Sequence, residues 1–143
     1  MPLTDNLVSV GEALESYLED GKDQLGIRKV WYGADDLIPE TPAITVAPEG
    51  KSRTLIETGH MTYNDFTVTI TIYHARLGDP AVTRKECDRM AEEVEAYLHS
   101  NIKLGGLVYT SLVQTVEPGV ARRANVILKA TRLTWVGRSK TRI

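Results

Sequence analysis

Between residues 64 and 76 the side chains alternate almost without error. Phe66, Val68, Ile70 and Ile72 hold one set of alternate positions, and Thr67, Thr69, Thr71 and Tyr73 hold the other. A period of two with β-branched residues in both sets predicts a β-strand, one face in a core and the other against water or a second subunit. At about 3.3 Å per residue a strand over 64–76 spans roughly 43 Å, against about five or six residues for an ordinary strand. One small domain is not expected to cover all of it. We expect part of this strand to project as a hairpin arm or to pair with a neighbouring chain, because bare ladder edges invite partners.

Two segments carry the helical period instead. Over 4–20, Leu7, Val10, Leu14 and Leu18 recur at spacings of three and four, with Tyr17 beside them, which places one apolar stripe on one helix face. Thr4 or Asp5 is a suitable N-cap, and Gly21 is placed to close the helix in a left-handed conformation. Gly11 lies inside this helix and costs about 1 kcal/mol relative to alanine. The second helix is expected from Asp79 as cap and Pro80 as first residue to about Ser100, with Cys87, Met90, Ala91, Val94 and Leu98 as its apolar face. The pairs Arg84–Asp88 and Arg89–Glu93 sit four apart on its wet side.

The remaining strands are shorter in this reading. Strands are expected at 27–32, at 43–47 with Pro48-Glu49-Gly50 as a closing turn, and at 54–57. Lys103-Leu104-Gly105-Gly106 is the exit turn of the second helix. Two last strands, 107–116 and 125–136, are joined through Pro118-Gly119. In the final strand Val126, Leu128 and Ala130 share one face while Leu133 and Trp135 fall on the other, which implies a bulge or a strand covered on both sides. Residues 137–143 read as a basic arm. The order of elements predicts an α+β fold: an antiparallel or mixed sheet, two helices packed on one face, and a long β-hairpin arm. At 143 residues, 42% of them hydrophobic and 25% charged, one domain spanning 1–143 can bury about 70% of its chain surface.

The chain offers little that resembles a catalytic or metal centre. His60, His74 and His99 have no second histidine or cysteine at ligand spacing and read as surface or boundary residues. Cys87, the one cysteine, falls on an apolar helix face and reads as an inert buried thiol; a lone cysteine also fits a reducing compartment. Asp35-Asp36 lacks the other oxygen ligands of a calcium loop. Glu92, Glu93 and Glu95 are the wet face of a helix. There is no phosphate-cradling glycine loop and no nucleophile elbow. We therefore expect no enzyme activity and no cofactor. No basic segment followed by an apolar one opens the chain, and no run approaches about 18 apolar residues, so neither a signal peptide nor a membrane span is expected.

Charge is distributed unevenly. Residues 1–40 hold nine acids against three bases, and residues 119–143 hold seven bases and no acid. An acidic start and a basic end suit head-to-tail contact between copies, or contact with a separate acidic partner. The basic set is Arg122, Arg123, Lys129, Arg132, Arg138, Lys140 and Arg142; few aromatics accompany it and no RNA-binding signature occurs, so a protein-facing or solvated role is the expectation.

Taken along its length, the chain resembles the tail terminator (tail completion, or minor tail) proteins of long-tailed bacteriophages. The resemblance is carried by the amphipathic first helix with Leu7 and Leu18, and by the short strand ending Val30-Trp31-Tyr32-Gly33. It continues through the crossing Thr41-Pro42-Ala43-Ile44-Thr45-Val46, the threonine-rich strand from Phe66 to Tyr73, the charged helix between Pro80 and Leu98, and the close at Leu133-Thr134-Trp135 with its basic tail. It covers about residues 3–136, and lies in element order and texture rather than in an invariant motif. The resemblance implies a virion protein assembled in the host cytoplasm. It implies a homo-oligomeric ring, of six copies in this reading, at the head-proximal end of the tail. Its partners would be the tail tube protein and the head–tail connector or neck protein, with no membrane and no nucleic acid beyond DNA threading the ring. A head-completion or neck ring is the nearest alternative, and a small ligand-binding or enzymatic α+β domain a more distant one. The expected interface residues are Asp35 and Asp36 in a polar loop, Thr67, Thr69, Thr71 and Tyr73 on the long strand, and the basic Arg122, Arg123, Arg138, Lys140 and Arg142.

Overall fold

The computed structural model describes residues 6–33, 40–55 and 61–142, the side chains of 141 and 142 excepted. Five strands form one mixed open sheet in the order β1-β2-β3-β5-β4, with helices packed on it. In chain order these are α1 (Leu7–Asp20), α2 (Lys22–Leu25), β1 (Lys29–Tyr32), β2 (Ala43–Leu55), β3 (Met61–Arg76), α3 (Arg84–His99), a 3₁₀ turn (Leu104–Gly106), β4 (Thr110–Arg123) and β5 (Val126–Arg142). The β1–β2 pair is parallel and the other three are antiparallel.

The long strand is even longer than its alternation suggests, 16 residues, yet it is not an edge. β3 is bonded to β2 from Thr62 to Tyr73 and to β5 from Met61 to Arg76. The surplus hydrogen-bonding edge expected of it is used within the chain. Three local readings gave way to produce this. Pro48-Glu49-Gly50 does not turn: the register shifts between Pro48 and Gly50, and β2 runs on to Leu55, absorbing the start of the expected strand at 54–57; residues 56 and 57 lie outside the described residues. A proline is tolerated where a bulge already interrupts the ladder. Pro118-Gly119 does not turn either, but pairs with Thr131 and Ala130, and the chain reverses at Ala124-Asn125, where Ala124 has φ 54°. Finally, the basic tail is no free arm. Its residues 137–142 continue β5 against Phe66 to Met61 of β3.

The helix ends show the same dependence on context. Asn6 caps α1, its Oδ1 accepting from the Ser9 N–H at 2.8 Å; the expected caps Thr4 and Asp5 lie outside the described residues. Thr83, not Asp79, caps α3, while the Asp79 carboxylate accepts from the Ala81 N–H at 2.9 Å in the turn before it. Gly21 has φ −97° and is not left-handed; that conformation falls to Gly26 at φ 75°, after α2. Glycine at 21 answers a close approach instead, since a Cβ there would sit 2.3 Å from Cζ of Tyr97. Tyr97 and Tyr17 stack with ring centroids 4.3 Å apart. Each phenol donates to the other's backbone carbonyl at 2.9 Å, which ties α1 to α3.

Both helices cover one face of the sheet. Val10, Leu14 and Leu18 of α1 and Ala91, Val94 and Leu98 of α3 meet Phe66, Val68, Ile70 and Ile72 of β3 and Leu133 and Trp135 of β5 in one core. On the opposite face, Tyr73, Leu128 and Ala130 make a second, smaller cluster with Ala121 and Val126. At that end β5 turns apolar side chains to the open face, where their strand neighbours bury them, which accounts for its change of apolar face. The bulge lies in its partner β3, between Tyr73 and Ala75.

Candidate subunit interface

With β3 in the centre, the unpaired edges fall elsewhere. β4 is bonded to β5 along one side only, and its other side carries no strand among the described residues. Its exposed apolar residues, Leu112, Val116 and Val120, are 53%, 38% and 64% accessible. β1 covers β2 only from Ala43 to Val46. Beyond Val46, the outer side of β2 over 47–55 is likewise without a strand among the described residues. Three antiparallel pairings separate β2 from β4, so the two edges run in opposite directions.

The second feature is the sheet face away from the helices. Alternation places Thr67, Thr69 and Thr71 of β3 on it, all half-buried. Thr45 of β2 pairs with Thr71, and Thr69, Thr134 and Thr115 lie side by side across β3, β5 and β4. No helix of the described residues packs on this side. The expected threonine surface is therefore presented, although by a central strand. Tyr73 differs: it has no accessible surface and anchors the small cluster, so it offers nothing directly to a partner.

The basic residues differ in what holds them. Arg138 forms a two-point pair with Asp65, Nε to Oδ1 at 2.6 Å and Nη2 to Oδ2 at 3.0 Å, and lies 4.8 Å over the Tyr63 ring. The hydrogen bond from Arg138 holds the Asp65 carboxyl below the usual range. Arg123 folds back over Tyr73, 5.1 Å from the ring, and its Nη2 donates to the phenol oxygen. Arg122, at the β4–β5 hairpin tip, and Lys140 are exposed. The tip and the 138–140 segment lie at opposite ends of β5, about 40 Å apart at the usual strand rise, so the sequence-local basic set makes two patches. Asp35, Asp36 and the side chain of Arg142 lie outside the described residues.

The interior polar groups read as structural. His74, expected at the surface or a boundary, is 3% accessible, and its Nε2 is 2.8 Å from Oγ1 of Thr131. The reason is the alternation itself: His74 follows Phe66, Val68, Ile70 and Ile72 onto the helix-covered face, beside Thr131. Burial, helped by the Lys129 charge and opposed by Asp88, lowers its pKa to about 4. Lys129 is itself held by the carbonyls of Asp79 and Val82. Cys87 is 6% accessible and burial pushes its thiol up, which favours the inert form. His99 has a role the sequence did not signal: its Nε2 accepts from the Val113 N–H at 2.9 Å, where the register of β4 shifts. A donor to a ring nitrogen fourteen residues away leaves no periodic trace. Among the described residues, no group of three or more potential metal ligands gathers, and no helix is long and apolar enough to cross a membrane.

The buried histidine makes stability depend on pH. An unfolded histidine titrates near 6.5, and the folded one near 4. Between those values the unfolded chain binds a proton that the folded chain does not. Stability is therefore full above about pH 6.5 and falls as pH drops toward about 4. We expect a loss of about 2 kcal/mol, below the full linkage value because the ring borders a cavity. Urea denaturation across this range should show the slope, and His74→Gln should flatten it.

Comparison of the sequence with protein-family models and with curated proteins returns no match.

Proposed function

We propose that this chain is a ring-forming structural subunit of a long-tailed phage virion, a tail terminator that caps the head-proximal end of the tail tube. One observation supports the reading above others: two strand edges, on β2 and β4, that no other strand of the described residues pairs, running in opposite directions at the two sides of one sheet. In a head-to-tail ring, β4 of one copy meets β2 of the next as an antiparallel pair, and each copy uses both edges once. Such a contact is heterologous, and it closes into a ring when its rotation divides the circle. The bare threonine face then becomes continuous around the assembly. Capping follows physically: one face of the ring fits the tube end, and the other lacks the surface a further tube subunit needs. The resemblance of residues 3–136 to the terminator family supplies the choice of tube and of the head–tail connector as partners.

Mixing the protein with polymerising tail tube protein and imaging by electron microscopy tests this reading. Closed rings seated at one tube end, with elongation halted, are the expected result. A protein that stays monomeric and leaves tube length unchanged overturns it, and rings that bind only the connector reassign it to the neck.

A further inference from the structure

On the face away from the helices, a cleft of about 240 Å³ opens between β3, β5 and β4, lined by Thr71, Tyr73, Glu117, Arg123, Ala130 and Arg132 among others. Two guanidinium groups border it, and neither is satisfied by a close carboxylate. Arg132 reaches Glu117 only at 3.5 Å, with both side chains more than half exposed, a pair that contributes little and exchanges readily. Arg123 has neutral partners alone: Nη1 donates to the carbonyl of Arg122 and Nη2 to the phenol of Tyr73. Its Nε is buried without a hydrogen-bond partner. Its Cζ lies 5.1 Å from the centre of the Tyr73 ring, whose phenol oxygen accepts from Nη2, and an arginine anchored in this way favours a carboxylate.

We infer that this cleft is a carboxylate site, filled by an acidic side chain from a second copy of the chain. The charge of the chain itself names the occupant. The first forty residues hold nine acids against three bases, and the last twenty-five hold seven bases and no acid. Within one molecule the acids of α1 do not reach this cleft. α1, whose Glu12 and Asp20 are exposed, packs on the helix-covered face, and the sheet stands between it and the cleft. Glu117 is the carboxylate that the chain itself sets beside Arg132, and the acids of α1 reach the cleft only from a second copy. This inference rests on the ring reading and adds to it a salt-sensitive contact separate from strand pairing.

Sedimentation velocity on the full chain, at low and high salt, tests it with Arg132→Glu, Arg123→Gln and the charge-keeping Arg123→Lys. Arg132 is exposed, so its variant is expected to fold, and it decides the matter alone if Arg123→Gln does not. We expect Arg132→Glu and Arg123→Gln each to raise the half-assembly concentration at least tenfold at low salt, Arg123→Lys to raise it less, and high salt to erase the differences. A decaglutamate peptide should compete with assembly of the unaltered chain. Assembly unchanged in both charge-removing variants overturns the inference and leaves the ring reading standing. An unaltered chain that never assembles overturns both. Competition by single-stranded DNA but not by decaglutamate assigns the cleft to phosphate and overturns it as well.

Discussion

Replacing Trp135 with alanine should lower folding stability by about 3–5 kcal/mol, the usual cost of removing a large buried aromatic side chain. Trp135 is 1% accessible and is the largest of the fully buried side chains. It sits on β5 between Val68 of β3 and Val113 of β4, on the face that the helices cover. Its ring lies across Gly137, where a Cβ would come within 2.2 Å of Cη2. A glycine has no side chain that could collapse into the space an alanine would leave, and the paired backbones on both sides restrain closure. The lost transfer energy therefore comes with a nearly complete cavity term. Urea denaturation followed by far-ultraviolet circular dichroism measures the loss. Thr134→Ala, one residue away on the open face, is the control and should stay within about 0.5 kcal/mol. A Trp135→Ala cost under about 1 kcal/mol would contradict the packing described.

The second large effect concerns assembly rather than folding. Pro118 lies within β4 and has no N–H, which suits a strand whose outer side is unpaired. By the period of two, Val116 and Val120 direct their N–H groups to the same outer side. Val116→Pro with Val120→Pro therefore removes two donors from the free edge without breaking the ladder to β5. Each such bond is worth about 0.5–1.5 kcal/mol net, so the pair should weaken subunit contact roughly five- to 150-fold. Light scattering coupled to size-exclusion chromatography should find the variant folded but smaller than the unaltered assembly. A variant that assembles as before would show that β4 is not the contact, and the observation supporting the ring reading would go with it.

The parts of this fold legible in the sequence are those governed by short-range periods. Alternation from Phe66 to Ile72 is a property of the pleat, and the stripe of Val10, Leu14 and Leu18 a property of the 3.6-residue turn; each holds whatever packs against it. The buried face of α3, the two helices on one side and a sheet left as antiparallel or mixed followed from the same signals; the parallel β1–β2 pair was given by the structure. The 3₁₀ turn at Leu104–Gly106 followed from its glycines.

The candidate interface was less legible. Thr67, Thr69 and Thr71 could be placed on an open face, but the bare edge was assigned to the wrong strand, and neither the pairing of Arg138 with Asp65 nor the burial of Tyr73 left a local signal. A proline with a glycine near it is compatible with a turn or with a bulge, and only pairing across the sheet chooses. At 48–50 and 118–119 the partner strands chose continuation. That lengthened β2 and β4, gave β5 the length to carry the tail, and enclosed β3. His74, by contrast, was legible: it continues the alternation of Phe66, Val68, Ile70 and Ile72 onto the core face. What the sequence by itself determined is which residues make strands and helices and which faces are apolar, because those depend on neighbours two to four positions away. Which strands end as edges, and so where another molecule can add, was decided only by the tertiary structure, because an edge is defined by the absence of a partner distant in the chain.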